Sequence, residues 1–138
     1  MARYLVFFAA ALTLIFSDGL AGAELFVVCN SGTSLGADDI PDVFTGGKQF
    51  SGDIKLVPVD NAAAQEEFLA KVMRMSGVKY SAHWTKKSFR DGIRQPPVKA
   101  NDAATLEFVR RTPGGVGYVR TAPTGVKVIP GTDRTDHE

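Results

Sequence analysis

The sequence predicts an α/β fold, and three stretches carry that prediction. Ile54–Met75, IKLVPVDNAAAQEEFLAKVMRM, runs from an apolar segment through a polar corner into amphipathic helical spacing. Glu24–Asn30, ELFVVCN, is a continuous apolar run closed by polar residues, the pattern of a buried central strand. Ser76 and Asn101 precede two further segments of helical spacing, after which Gly115–Arg120 returns to a strand-like pattern.

The first 23 residues, taken in order, read as an export signal. Arg3 gives a positive start, Tyr4–Phe16 an apolar core, and Ala21-Gly22-Ala23 a small-residue cleavage site before Glu24. The apolar core is short for a bilayer span and Ser17-Asp18-Gly19 breaks it; no later segment is long enough to span. The expected organisation is a signal peptide over 1–23, one domain over 24–130 and a flexible tail over 131–138.

The formal net charge is +1, and loss of Arg3 and Asp18 with the signal leaves it unchanged. That balance excludes the basic surplus a nucleic-acid or strongly anionic surface would need. A single cysteine, Cys29, rules out an internal disulfide, so an exported domain must rely on its core. Cys29 itself reads as a small buried hydrophobe. As a nucleophile it would need a base, and only His83 and His137 exist.

Asn30–Ser34 is a loop of small polar residues at the carboxyl end of the first strand. It is either an ordinary loop or an anion cradle through Ser31 and Thr33. Asp38–Phe44 predicts a short helix with Pro41 in its first turn and Ile40, Val43 and Phe44 facing inward. Gly46-Gly47-Lys48 turns the chain back; the spacing of a phosphate-binding glycine loop is absent.

Ile54, Leu56, Val57 and Val59 form the next strand, and Asp60 or Asn61 can cap the helix that follows. Phe68, Val72 and Met75, with Leu69 and Met73 beside them, form its apolar stripe; Gln65, Glu66, Lys71 and Arg74 stay wet. A strand end facing a helix N-terminus is where α/β domains usually take ligands, so Asp60–Gln65 is the candidate corner.

Ser76 caps a helix reaching about Phe89, with Tyr80 and Trp84 stacked at i, i+4, and Trp84 and Phe89 as core anchors. His83 is expected at the surface, and Lys86, Lys87, Arg90 and Arg94 on a solvated basic face. Arg90–Pro97 is a turn-rich connection held extended by Pro96-Pro97. Asn101 or Asp102 caps a helix whose expected inner face is Ala103, Leu106, Val109 and Arg110, with Phe108 alongside; Thr112-Pro113-Gly114 ends it. The glycines of Gly115–Arg120 mark close approach of another backbone, and Val126–Ile129 reads as an edge strand.

An ordered set of short motifs resembles one family. These are Val43-Phe44-x-Gly46 with Lys48, Val57-x-Val59-Asp60, Phe68 with Val72, Met75-Ser76, Trp84, Phe89 and Pro96-Pro97. Thr112-Pro113-Gly114-Gly115-Val116-Gly117-Tyr118-Val119 completes the series. In that order and spacing they resemble the solute-binding proteins of phosphate ABC transporters, specifically the short phosphate-binding-like domains. The resemblance implies a single lobe of a periplasmic binding protein type II-like fold, a mixed sheet flanked by helices. In full-length members two lobes close on phosphate, and the matched lobe gives an arginine and a Ser-Gly-Thr run at the corner. Here the corner reads Asp60-Asn61-Ala62-Ala63-Ala64-Gln65, without that arginine or those hydroxyls, and Asp60 is expected to repel a dianion.

The expected function is therefore a periplasmic solute-binding-protein-like domain with weak or altered anion binding. Its candidate ligand residues are Ser31, Thr33, Asn61 and Gln65 with the backbone N–H groups of Ala62, Ala63 and Ala64. A helix N-terminus offers an anion about 0.3–1 kcal/mol, whereas micromolar affinity needs about −8 kcal/mol. The alternative is an interaction or dimerisation module using the surface that faces the second lobe in full-length members, with Gly115–Tyr118 read as an exposed edge. Candidate partners are phosphate or another small anion, an ABC permease, a protein partner or a second copy. Asp38-Asp39-Asp42 and Glu66-Glu67 read as helix-dipole partners and solvated faces, so no enzyme, metal or cofactor is expected.

Overall fold

The structure is a computed structural model that describes residues 24–132. The signal-peptide expectation over 1–23 and all but the first two residues of the expected tail lie outside the described residues.

β1 (Phe26–Cys29) and β7 (Gly115–Val119) pair antiparallel at the centre of a four-stranded sheet, with Phe26 opposite Val119 and Cys29 opposite Val116. β4 (Val57–Pro58) lies parallel to β7 on one side, and β8 (Lys127–Val128) antiparallel to β1 on the other. The order is β4-β7-β1-β8, a mixed sheet. Two small ribbons flank it: β2 (Phe50–Ser51) with β3 (Ile54–Lys55), antiparallel, and β5 (Asp60–Asn61) with β6 (Val98–Lys99), parallel.

Successive residues of a strand point to opposite faces, and that alternation divides the core in two. Val27, Cys29, Val116 and Tyr118 face the larger cluster. There they meet α1 (Ile40–Thr45), α2 (Gln65–Phe68) with its continuation Leu69–Met73, and α3 (Gly77–Asp91). Val28 and Val119 face the smaller cluster beneath α4 (Asp102–Arg111), where Val109 is buried. Gly117 also points to that side. A Cβ there would lie 2.8 Å from Thr105 Cγ2 and 3.2 Å from Val109 Cγ2, so the glycine is what lets α4 sit close. The predicted close approach at this strand is thus the seat of α4.

Several expectations hold in detail. Ser76 caps α3 by accepting from the Lys79 N–H, and Asn101 caps α4 by accepting from the Ala104 N–H. Ile40, Val43 and Phe44 are buried, with Pro41 in the first turn of α1. Tyr80 and Trp84 are buried, and Cys29 is a fully buried free thiol.

Others change. The expected strand Ile54–Val59 is divided between two pairings, β3 with β2 and β4 with β7, because its partners alternate: the Leu56 N–H donates to Gln49 O, but that of Val57 donates to Gly114 O. The expected single helix after the corner starts only at Gln65, with no side-chain cap, and widens into a π-turn over Leu69–Met73 that ends at Arg74 with φ 57°. The wider turn keeps Phe68, Leu69, Val72 and Met73 all buried. Phe89 is 93 % exposed instead of anchoring the core. Nine residues past Tyr80, it falls about 180° around the helix from the buried face. On α4 the inner residues are Thr105 and Val109, whereas Ala103 and Arg110 are exposed, because contact with Gly115 and Gly117 sets the helix's rotation. Gly115–Tyr118 is no exposed edge: every residue of β7 is buried between β4 and β1.

Gly114 adopts φ 80°, and a Cβ there would collide with the Lys55 carbonyl oxygen. Gly52 has φ 63° but open space around it. Gly52→Ala should cost about 1 kcal/mol, the left-handed backbone penalty alone. Gly114→Ala should cost at least about 3 kcal/mol, since backbone must shift. Urea unfolding of both variants checks the ranking; equal midpoints would contradict it.

Candidate functional site

β5 delivers the corner. Its first residue, Asp60, is fully buried, and its backbone N–H donates to Pro97 O at 2.8 Å. Two phenols reach its carboxyl: Tyr118 Oη donates to Oδ1 at 2.6 Å and Tyr80 Oη to Oδ2 at 2.8 Å. Burial pushes the carboxyl above the usual range, opposed by hydrogen bonds from Tyr118, Tyr80 and Gln65. Both tyrosine hydroxyls are held well above their ordinary values, by burial first and then by the neighbouring Asp60. Asp60 therefore neither caps the helix nor faces an incoming anion: it is turned into the core.

Asn61, also buried, organises the turn. Its Nδ2 donates to Tyr118 O and to Asp102 Oδ1, both at 2.8 Å, and its Oδ1 accepts from the Ala63 N–H at 3.0 Å. The Ala62 N–H donates to Lys99 O at 2.8 Å and the Ala64 N–H to Asn61 O at 3.0 Å. All three backbone donors proposed from the sequence thus already have partners inside the chain. Gln65 is half-buried beside the Asp60 carboxyl.

Above the turn lies a shallow hollow of about 400 Å³, walled by Ala62, Ala63, Ala64, Glu66, Glu67 and Arg120. Arg120 is its one lining cation. Its Nη1 donates to Ala63 O at 3.2 Å, and its Nε stands 3.2 Å from Glu67 Oε1. That second contact is an ion pair by distance without hydrogen-bond alignment, since the same oxygen has no hydrogen-bond partner. The backbone N–H of Arg120 donates to Asp102 Oδ2 at 3.0 Å. Sequence reasoning missed Arg120. Its only signal was a cation directly after the TPGGVGYV strand, and its proximity to the corner comes from the sheet's pairing.

Ser31 and Thr33 are elsewhere. β1 runs antiparallel to β7, so its carboxyl end meets the start of β7, where the Asn30 N–H donates to Gly115 O. Asp60–Gln65 sits at the other end, beside Tyr118 and Arg120. Four residue steps along β7 separate the two ends by roughly 13 Å, too far for one small anion to touch both. Ser31 is exposed, whereas Thr33 is buried with its Oγ1 unpartnered and its carbonyl accepting from Lys127 Nζ at 2.7 Å. Burial pushes the Cys29 thiol up, against a weaker opposite pull from Lys127. His83 is not a free surface residue: its Nε2 lies 2.8 Å from Thr45 O, the last residue of α1. Among the described residues no group of three His, Cys, Asp or Glu side chains could hold a metal ion.

No family model and no curated protein matches the chain. Among solved structures it is similar to an ABC-type phosphate transport receptor from Vibrio cholerae, with TM-score 0.47 and 18% identity. That match covers 76% of this chain and 44% of the receptor. It is also similar to PstS from Borrelia burgdorferi, with TM-score 0.46 and 12% identity, covering 84% of this chain and 58% of that one. The chain spans about half the length of these two proteins. Among the described residues no helix is long and apolar enough to cross a membrane.

The Asp60 cluster makes stability depend on pH in a defined direction. Because its native carboxyl holds a proton to higher pH than the unfolded one, its contribution is complete below the unfolded value near ~3.9. It is lost as pH rises through the raised native value. Asn at this position can still accept from one phenol and donate to the other without titrating. Asp60→Asn should therefore cost more stability at pH 4 than at pH 7 in urea unfolding; a pH-independent cost would contradict the assignment. Asp60→Ala, which orphans both phenols, should cost about 2–5 kcal/mol.

Proposed function

We propose that this chain is a non-enzymatic, exported solute-binding-protein-like domain, a single lobe of type II-like fold that holds phosphate or another small anion weakly. The observation that carries this reading is the closed hydrogen bonding of the corner. The Ala62–Ala64 donors serve Lys99 and Asn61, so an anion would have to compete with bonds already made. What remains for a ligand is Arg120 and the first-turn backbone beside Gln65. Arg120 in turn is shared with Glu67, with Glu66 in the same wall. Releasing a partly exposed ion pair of that kind costs about 0–1 kcal/mol, and an open hollow adds little desolvated attraction. Under this reading Arg120 and Gln65 meet the ligand, while Asn61, Ala62, Ala63 and Ala64 shape the corner with donors already committed. Ser31 and Thr33 take no part in it. Export through the 1–23 signal, a periplasmic setting and work beside an ABC permease belong to the same proposal and are supported by the sequence resemblance.

The competing reading is a module that docks a protein partner or a second copy in place of a solute. The self-satisfied corner, with two carboxylates in its wall, is the observation that favours it.

Calorimetric titration with inorganic phosphate discriminates between them. Weak binding in the millimolar range is expected, abolished by Arg120→Ala. Glu67→Gln, which frees the guanidinium, should tighten it about two- to fivefold. Micromolar affinity would overturn the weak-site reading. Heat no greater than dilution at tens of millimolar, with a light-scattering mass that rises with concentration, would transfer the assignment to the docking module.

A further inference from the structure

A second cavity, of about 470 Å³, shares no lining residue with the hollow at Ala62–Ala64. It exists because the outer edge of β4 is only partly covered. Leu56 donates its N–H outward to Gln49 O, and Asp60 donates to Pro97 O. Between them stands Pro58, which has no N–H to offer a neighbouring strand. The segment around Gly46–Gln49 and the segment Ile93–Pro97 therefore flank a gap instead of closing on each other.

The walls of the gap are apolar: Val43, Leu56, Trp84, Pro58, Pro96 and Pro97. Gly46 keeps the wall open at Trp84, since a Cβ at its φ of 84° would lie 2.9 Å from the indole Cη2. The charged residues that line the groove are all of one sign. Lys48, Lys55 and Arg94 line it, and no Asp or Glu does. Lys55 Nζ lies 5.7 Å from the centroid of the Phe50 ring. No ion pair of the described residues involves Lys48 or Arg94. Two cations in no ion pair of the described residues, beside an apolar groove, are complementary to a molecule with a hydrocarbon body and one anionic end. The volume falls within the range of roughly 300–1,000 Å³ that small ligands occupy. Pro58 disfavours the alternative of a peptide strand added at this edge, because the missing donor interrupts the ladder.

We propose that this groove is a binding site for a small apolar monocarboxylate. Its hydrocarbon body lies against Pro58, Ile93 and Pro97, over the buried Trp84 indole, and its carboxylate meets Lys48 and Arg94. The proposal is independent of anion binding at Arg120.

Trp84 is the only tryptophan in the chain, so its fluorescence reports the groove directly. Octanoate and cyclohexanecarboxylate, titrated into the purified protein, should give saturable changes in emission at millimolar concentration or below. Octanamide, with the same body and no charge, should bind about fivefold more weakly or less. Inorganic phosphate, with charge and no body, should leave the signal unchanged. Lys48→Ala and Arg94→Ala should each weaken octanoate binding about two- to fivefold, as removal of one solvent-exposed charge contact does. Lys86→Ala, exposed on α3 and outside the groove, should not. A non-saturating response, equal binding of octanoate and octanamide, or indifference to both groove variants would overturn the proposal. The octanoate–octanamide comparison needs no variant, so a folding defect in a variant cannot obscure the result.

Discussion

The interaction on which this fold depends is the buried carboxyl of Asp60 held between two phenols. A carboxyl without partners in a dry core is far more costly than the core can absorb, so its position fixes its donors. Tyr80 comes from α3 and Tyr118 from the central strand β7, 58 residues from Asp60 in sequence. One side chain therefore ties the small β5–β6 ribbon to the main sheet and to α3, the longest helix among the described residues. The ring of Tyr118, once placed, becomes a packing surface: Phe68 stacks on it at 3.8 Å between centroids, and Phe44 meets Phe68 edge-on at 4.9 Å. Two hydrogen bonds of about 1.5–3 kcal/mol each thus select the arrangement in which α1 and α2 bury their apolar sides.

The same demand shapes the surface above it. With Asp60 turned inward, the chain must still reverse from β5 into α2, and Asn61 makes that reversal self-contained. Its amide serves Tyr118 O and Asp102 together, and its oxygen takes the Ala63 N–H. The neighbouring backbone donors are absorbed by Lys99 O and Asn61 O. The geometry usually credited with gathering anions, a strand end facing the first turn of a helix, is present, but the donors of Ala62–Ala64 are committed. A chain that keeps this turn without a ligand has no vacant donor at Ala62–Ala64 that an anion must fill.

Much of this was legible because it is local. A serine three residues ahead of a backbone donor caps α3, and a proline fits the first turn of α1. A Thr-Pro-Gly stop precedes a glycine-bearing strand, and an unbroken apolar run makes β1. What failed was non-local. By local rules Asp60 after an apolar run is a helix cap, and nothing near it in sequence reveals two phenols waiting in the core. The division of Ile54–Val59 between two partners depends on β7, a strand drawn from a distant part of the chain. Of the candidate site, Asn61, Ala62, Ala63, Ala64 and Gln65 do share one corner. Ser31 and Thr33 lie at the far end because the direction of β1 relative to β7 is not written in β1's own residues. Arg120 entered the corner for the same reason in reverse.

The corner and the groove meet in one helix. Tyr80 and Trp84, one turn apart on the buried face of α3, hold Asp60 and form a groove wall respectively. The Trp84 indole Nε1 also donates to Phe44 O at 3.0 Å, and His83 on the preceding position reaches Thr45 O. The C-terminal carbonyls of the short helix α1, which a six-residue helix cannot satisfy by itself, are thus taken by two consecutive side chains of α3. That leaves the indole no freedom to swing into the gap beside it. The groove stays open for a reason of backbone chemistry and not of poor packing: Pro58 withholds a donor on one side, and Gly46 withholds a side chain on the other. Filling it by mutation at Gly46 would push directly on Trp84, and through Trp84 on the turn that fixes Tyr80. The residues that keep the groove empty and those that keep the corner closed therefore belong to one packed unit.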